Sequence, residues 1–165
     1  MRLDFIPVIT EHQIADLADL AKKVWNEYFV SILIQDQIDY MVDKFQSMPA
    51  MTEQIQNQGY QYYFLNLEGK NIGYIGVREE TGKLFLSKLY IVKEYRGKGF
   101  ASEAFEFLEN MCQNKKIRAI WLTVNRYNED TIHIYEKKGF QTIRTHVMDI
   151  GEGYVMDDFV MEKIV

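Results

Sequence analysis

Apolar positions along this 165-residue chain change their spacing from segment to segment, and each change predicts an element. Leu3 to Val8 alternates as a half-buried strand does, and Thr10 with Gln13 three residues on is a capping-box signature for the helix that follows. Ile14, Leu17, Leu20, Ala21, Val24 and Tyr28 then recur at helical spacing, most simply as core packing. Ile38, Met41, Val42 and Phe45 predict a second helix over Asp36 to about Phe45. Pro49 interrupts, and a short helix to Gln58 stops at Gly59. Tyr60–Leu67 and Ile72–Glu79 follow as two strands of a hairpin around Glu68, Gly69, Lys70 and Asn71, and Gly82 marks the reversal into a strand Lys83–Val92. These three strands are expected to be antiparallel. A helix Phe100–Asn114 turns Phe105, Leu108 and Met111 or Cys112 inward and leads to an apolar strand Ile117–Val124. Strand, helix, strand in that order implies a parallel right-handed crossover. A helix Asn128–Lys138, a strand Phe140–Asp149, a tight Gly151 and Gly153 turn and a strand Tyr154–Lys163 complete the chain. The fold class is therefore α/β (α+β): a mixed central sheet of about seven strands, antiparallel at its start with a parallel pair in its middle, flanked by about four helices.

Composition narrows the picture. Hydrophobic residues make up 47% and aromatic residues 14%, with 2 prolines, which excludes disorder and a long flexible linker. Residues 1–165 are expected to form one domain around one core, without repeats, burying roughly two thirds of the unfolded surface. The single cysteine, Cys112, has no partner for an internal disulfide. It lies in a predicted helix as a small buried residue, which fits an intracellular chain. No apolar run approaches the length of a membrane span, and the expected location is cytoplasmic. A net charge of -5 speaks against general affinity for nucleic acid, while Lys93, Arg96 and Lys98 form a local basic cluster suited to a compact phosphorylated ligand. No metal is expected.

The segment Leu84 to Ser102, LFLSKLYIVKEYRGKGFAS, joins an apolar strand to a glycine-bearing basic turn that opens a helix. The first N–H groups of a helix lack intrahelical partners and carry partial positive charge, so an anionic phosphate is stabilised there. Gly97 and Gly99 let the backbone turn sharply and a ligand approach it closely, while Arg96 and Lys98 add mobile charge. A phosphate-binding GxxxxGK with Ser or Thr is absent. A dinucleotide GxGxxG would begin at Gly97 but has Ser102 at its last position, and no ribose-binding acid follows where one is needed. The letters that do match are RxxGxA, Arg96 to Ala101, after a strand ending LYIV. This resembles the coenzyme A motif of the GCN5-related N-acetyltransferase superfamily. Asn128 to Phe140, NEDTIHIYEKKGF, is similar to that superfamily's second motif, in the right order and separated by a helix and a strand.

The resemblance covers roughly Ile72 to Phe140 and implies an acetyl-CoA dependent N-acetyltransferase, with acetyl-CoA as cosubstrate. It implies that the two central parallel strands splay apart and admit the pantetheine arm between them, where main-chain groups of Leu89 and Ile91 pair with its amides. The diphosphate would lie on Gly97, Lys98, Gly99, Phe100, Ala101 and Ser102, with Arg96 in contact. A backbone N–H near Tyr90 or Ile91 would serve the developing oxyanion. Tyr135 is the implied general acid for the departing thiolate, and packing against Ile132 is its competing reading. Asn128 either binds pantetheine or caps its helix. Thr131 stands where the superfamily usually has Ala.

The acceptor is expected to be a primary amine of a small molecule, polyamine or peptide. Its ammonium, with an ordinary pKa of about 10.4, must lose a proton before attack. Glu79, Glu80, Asp149, Glu152, Asp157 and Asp158 are all open as that base, with solvated surface as the default for each. Trp25, Tyr28 and Phe29 are candidates for a wall of the acceptor pocket or for core. No serine or thiol has a base in a recognisable arrangement, so direct transfer is expected over a covalent acetyl-enzyme. The alternative from another class is a non-catalytic acyl-CoA binding or sensor module of the same fold, and assembly as a homodimer stays open.

Overall fold

The computed structural model describes residues 2–165. Its strands are β1 (Asp4–Pro7), β2 (Tyr60–Leu67), β3 (Lys70–Glu80), β4 (Lys83–Ile91), β5 (Ala119–Asn125), β6 (Gln141–Gly151) and β7 (Tyr154–Ile164). They form a seven-stranded sheet in the order β1-β2-β3-β4-β5-β7-β6. Neighbours are antiparallel except β4 and β5, which are parallel, as the strand-helix-strand order implied. The helices are α1 (Glu11–Phe29), α2 (Gln35–Gln46), α3 (Met48–Asn57), α4 (Phe100–Lys115) and α5 (Glu129–Lys137), with a 3₁₀ turn at Lys93–Tyr95. The short α3 is the helix expected to stop before Gly59.

Local chemistry accounts for the boundaries. Thr10 and Gln13 form both bonds of the expected capping box at the start of α1. Ser47 caps α3 through Ala50 N, and Pro49 sits in the first turn, where its missing N–H costs nothing, so the proline opens a helix as well as separating two. One face of the sheet packs Leu84, Leu86, Ile120 and Leu122 against Phe105 and Leu108 of α4 and Tyr135 of α5. The other face is covered by α1, α2 and α3 through Leu17, Ala21, Trp25, Ile38, Met41 and Met51. A buried polar chain ties that layer together: Trp25 Nε1 donates to Tyr74 OH (2.9 Å), Tyr74 OH to Gln46 Oε1 (2.6 Å) and Gln46 Nε2 to Phe45 O (2.6 Å). Among the described residues no helix is long and apolar enough to cross a membrane.

Two bulges decide which side chains face which layer. In β4, Lys88 lies opposite Gly76 and Leu86 opposite Val77, so Ser87 is an unmatched extra residue. In β6, Thr142 lies opposite Met161 and Arg144 opposite Val160, so Ile143 is extra. An inserted residue shifts the two-residue alternation by one, and every side chain beyond it changes face. Lys88 and Arg144 are thereby turned toward the α1–α3 side.

Candidate active site

β4 and β5 stay paired for three positions, Lys83 with Ala119, Leu84 with Ile120 and Phe85 with Trp121, and then part at the Ser87 bulge. Beyond it β4 keeps its ladder to β3 and has an open edge on the β5 side. Val92 N donates to Ile72 O (2.8 Å). Since main-chain groups alternate sides along a strand, Tyr90 N–H faces β3 as well, and Leu89 and Ile91 present theirs to the gap. Ile91 is partly engaged, because its carbonyl accepts from Arg96 Nε (3.0 Å) and its N–H lies 3.5 Å from Tyr28 OH. The open donor next to the split is therefore Leu89 N–H, and Tyr90, named from sequence as an alternative, has its N–H committed elsewhere.

At the far end of the gap, Gly97 (φ 75°) and Gly99 (φ 86°) take the left-handed conformation that bring the chain into α4, where L side chains would be strained. None of the main-chain N–H groups from Gly97 to Ser102 donates to another backbone group, the first such bond of α4 being Glu103 N to Gly99 O (3.3 Å). Six consecutive main-chain donors, concentrated at a helix N-terminus, fit a diphosphate. A Cβ built on Gly97 or Gly99 would meet nothing within 4 Å, so the glycines leave open space above that surface. Phe100 contributes only its backbone, its ring being buried in the core. Lys138, at the end of α5, donates to Ser102 Oγ and adds a cation beside the cradle. The Arg96 guanidinium lies 3.8 Å over the Tyr28 ring and 3.7 Å from Glu27, while its Nε donates to Ile91 O, so it braces the turn against α1 and β4.

Between split and cradle runs a cleft lined by Leu89, Ile91, Ala101, Asn128, Thr131 and Tyr135 among others. Asn128 stands at the N-cap of α5 without making a side-chain capping bond, which leaves its amide to the cleft. Tyr135 packs edge-on to Phe105 at 5.9 Å. Burial, reinforced by Tyr28, holds its phenol well above the ordinary range, so the group keeps its proton.

A second cavity opens on the α1–α3 side, and Ser87 and Thr123 line both. The split between the strands is thus a passage from one to the other. Trp25 lines this second space, whereas Tyr28 and Phe29, grouped with it from sequence, line the cofactor cleft. Asp158 is the carboxylate here, 4% exposed on β7 between β5 and β6, with a buried Oδ1 that has no hydrogen-bond partner among the described residues. Burial pushes its pKa up to about 6; Asp157 acts in the same direction, while His146 and Lys88 oppose it. Lys88, whose Nζ donates to Ser87 Oγ (2.8 Å), is pushed down to about 8, mainly by burial, with Asp158 pulling the other way.

The other five acids are engaged or remote. Glu79 pairs with Lys115, Glu80 with Arg78 (3.0 Å) and with Trp121 Nε1 (2.8 Å), and Asp157 with Arg126 (2.7 Å). Asp149 accepts from Gly151 N (2.8 Å) at the β6–β7 turn, where Glu152 is exposed. Cys112 is buried in the core, and burial pushes its thiol up to about 11, far from a nucleophile. Sequence reasoning missed Ser87, Lys88 and Thr123. One signal was available for Lys88, the lone charge in the apolar run LFLSKLYIV.

A sheet split at its parallel pair, with unpaired main-chain donors at one end of the gap and a buried carboxylate across the passage, suits an elongated anionic ligand beside a second pocket. Comparison with known proteins agrees: residues 18–140 match the model of the acetyltransferase (GNAT) family, and the chain belongs to that family. Acetyl-CoA is the family's cosubstrate. An uncharacterized N-acetyltransferase in the pepI 3' region of Lactobacillus delbrueckii subsp. lactis is 20% identical over 163 residues, covering 94% of each chain. Among solved structures, PaiA N-acetyltransferase from Thermoplasma acidophilum, in complex with coenzyme A, aligns with a TM-score of 0.81 at 21% identity over 100% of both chains. A GCN5-related N-acetyltransferase from Rhodopseudomonas palustris aligns with a TM-score of 0.83 at 12% identity over 100% of this chain and 97% of the other.

Proposed function

We propose that the protein transfers the acetyl group of acetyl-CoA directly to a primary amine, with Asp158 as general base and Tyr135 as general acid. One observation carries this reading: the cofactor cleft and the second cavity meet at Ser87 and Thr123, with the protonated phenol on one side and the unpartnered carboxylate on the other. Bound acetyl-CoA supplies an activated acetyl thioester. Its diphosphate would be held by the N–H groups of Gly97 to Ser102 and Lys138, and its pantetheine by Leu89 and Asn128. Asp158, ionised above pH about 6, takes the proton of the entering ammonium and so yields the neutral nucleophile. Leu89 N–H is a fixed donor for the charge that develops on the carbonyl oxygen. Tyr135, whose raised pKa keeps it protonated, gives its proton to the leaving sulfur. A carboxylate near pKa 6 balances two needs at neutral pH, being mostly ionised yet a stronger base than an ordinary aspartate.

The test is acetyl-CoA dependent thiol release with a panel of primary amines, run on wild type, Asp158→Asn and Tyr135→Phe. Both substitutions are expected to lower turnover while leaving coenzyme A affinity within a few-fold. Thermal stabilisation by acetyl-CoA with no thiol release from any amine would instead favour the acyl-CoA binding module.

A further inference from the structure

We infer that the acceptor is a monoamine carried on an aromatic or bulky apolar body that also bears a carboxylate, and not a polyamine. The inference rests on the transfer reading above and concerns the cavity on the acceptor side. Its floor is aromatic: Phe85 and Trp121, cross-strand neighbours at the last paired position of β4 and β5, stack at 4.2 Å with 21° between planes. Trp25 and Met156 add further apolar wall, so most of the surface offered to a ligand is carbon. A flat or bulky apolar group gains both area burial and ring contact there, whereas an extended methylene chain gains only area.

The charges are selective as well. The cavity holds one carboxylate, Asp158, against two fixed cations, Lys88 and Arg144, and His146, which adds a third when protonated. A chain carrying several ammonium groups would satisfy one at Asp158 and bring the others toward cations. Arg144 reaches this face only because Ile143 is bulged, since it would otherwise share the side of Thr142. Among the described residues Arg144, like Arg2 and Arg118, enters no ion pair, while Arg78, Arg96 and Arg126 each do. An unengaged guanidinium at the edge of an apolar cavity matches the fork of a carboxylate, with the amine directed inward to Asp158.

Trp25 and Trp121 are the chain's only 2 tryptophans and both line this cavity, so their fluorescence reports binding without requiring turnover. The experiment titrates the protein, with coenzyme A present, with phenylalanine, with phenethylamine (the same body without the carboxylate) and with spermidine. Phenylalanine is expected to bind about tenfold more tightly than phenethylamine, and spermidine most weakly. R144Q is expected to remove the difference between the first two, with calorimetric coenzyme A binding showing that the variant is folded. Spermidine binding most tightly, or a phenylalanine preference that persists in R144Q, overturns the inference. Thiol release on the same three amines separates the two claims: the expected order of binding without any release supports the preference and sinks the transfer reading, while release fastest with spermidine does the reverse.

Discussion

The two halves of the site are built on different principles. On the side proposed for the cofactor, the structure offers main chain: consecutive N–H groups at the start of α4 and the open edge of β4 beyond Ser87. On the side proposed for the acceptor, it offers side chains drawn from α1, α2, α3, β2, β4, β5, β6 and β7, and two bulges determine which of them face inward. Backbone recognition needs glycines and a helix start, which a short stretch of sequence can spell out. Side-chain recognition needs the whole sheet in register. A family can therefore keep one cofactor while the acceptor pocket is rebuilt by changes that leave the motifs untouched.

The contrast predicts separable effects, the largest at the cradle. Gly99→Asp places bulk and negative charge where the diphosphate would lie, at a position with φ 86°. Calorimetry is expected to find coenzyme A affinity lowered by at least about 10²-fold, since lost donors and like-charge repulsion act together. Unchanged affinity would remove the diphosphate from this turn. Asp158→Asn is expected to cost about 10²- to 10⁴-fold in turnover, the range of a general base, with coenzyme A affinity preserved. The same substitution carries a stability signature of known sign. A carboxyl whose folded pKa is raised to about 6 from 3.8 stabilises the fold when protonated and loses that contribution as pH rises through about 6. Asp158→Asn should therefore melt above wild type at pH 7 to 8, and the gap should close below pH about 4.

Tyr135→Phe keeps the ring packed on Phe105 and Phe140 and removes only the hydroxyl. Turnover is expected to fall by roughly 10²-fold with little change in coenzyme A affinity. Full activity would assign the residue to packing. Gln46→Ala strands Tyr74 OH and loosens the layer that seats Trp25, so a loss of about 1–3 kcal/mol in denaturant unfolding is expected. Its kinetic effect should appear in the KM for the amine and not in coenzyme A affinity. The smallest change is Lys138→Ala, which removes an exposed cation beside Ser102 and should weaken coenzyme A roughly two- to fivefold, more at low salt.

How much of this was legible in the chain follows the same division. The order of elements, the parallel pair and the helix starts followed from spacing and caps, because each depends on residues within a few positions of one another. The glycine turn that opens α4 at Gly97 to Ser102 was legible for the same reason. The neighbours of Arg96 were not legible, because Glu27 and Tyr28 lie nearly 70 residues earlier and a local motif says nothing of them. Asp158 stood undistinguished among six acids, since its burial comes from lying on a strand with neighbours on both sides and from a cavity that α1 helps to close. The bulges at Ser87 and Ile143 had no signal: neither is a glycine, and an alternation that slips by one residue looks in sequence like ordinary noise.

The central claim is that the amine loses its proton to Asp158 at the passage between the two cavities. The most direct test is the pH dependence of kcat/KM for the fastest amine substrate, in wild type and in Asp158→Asn. A rising limb centred near pH 6 in wild type and missing from the variant is the expected result. The same limb at the same height in both would contradict the account.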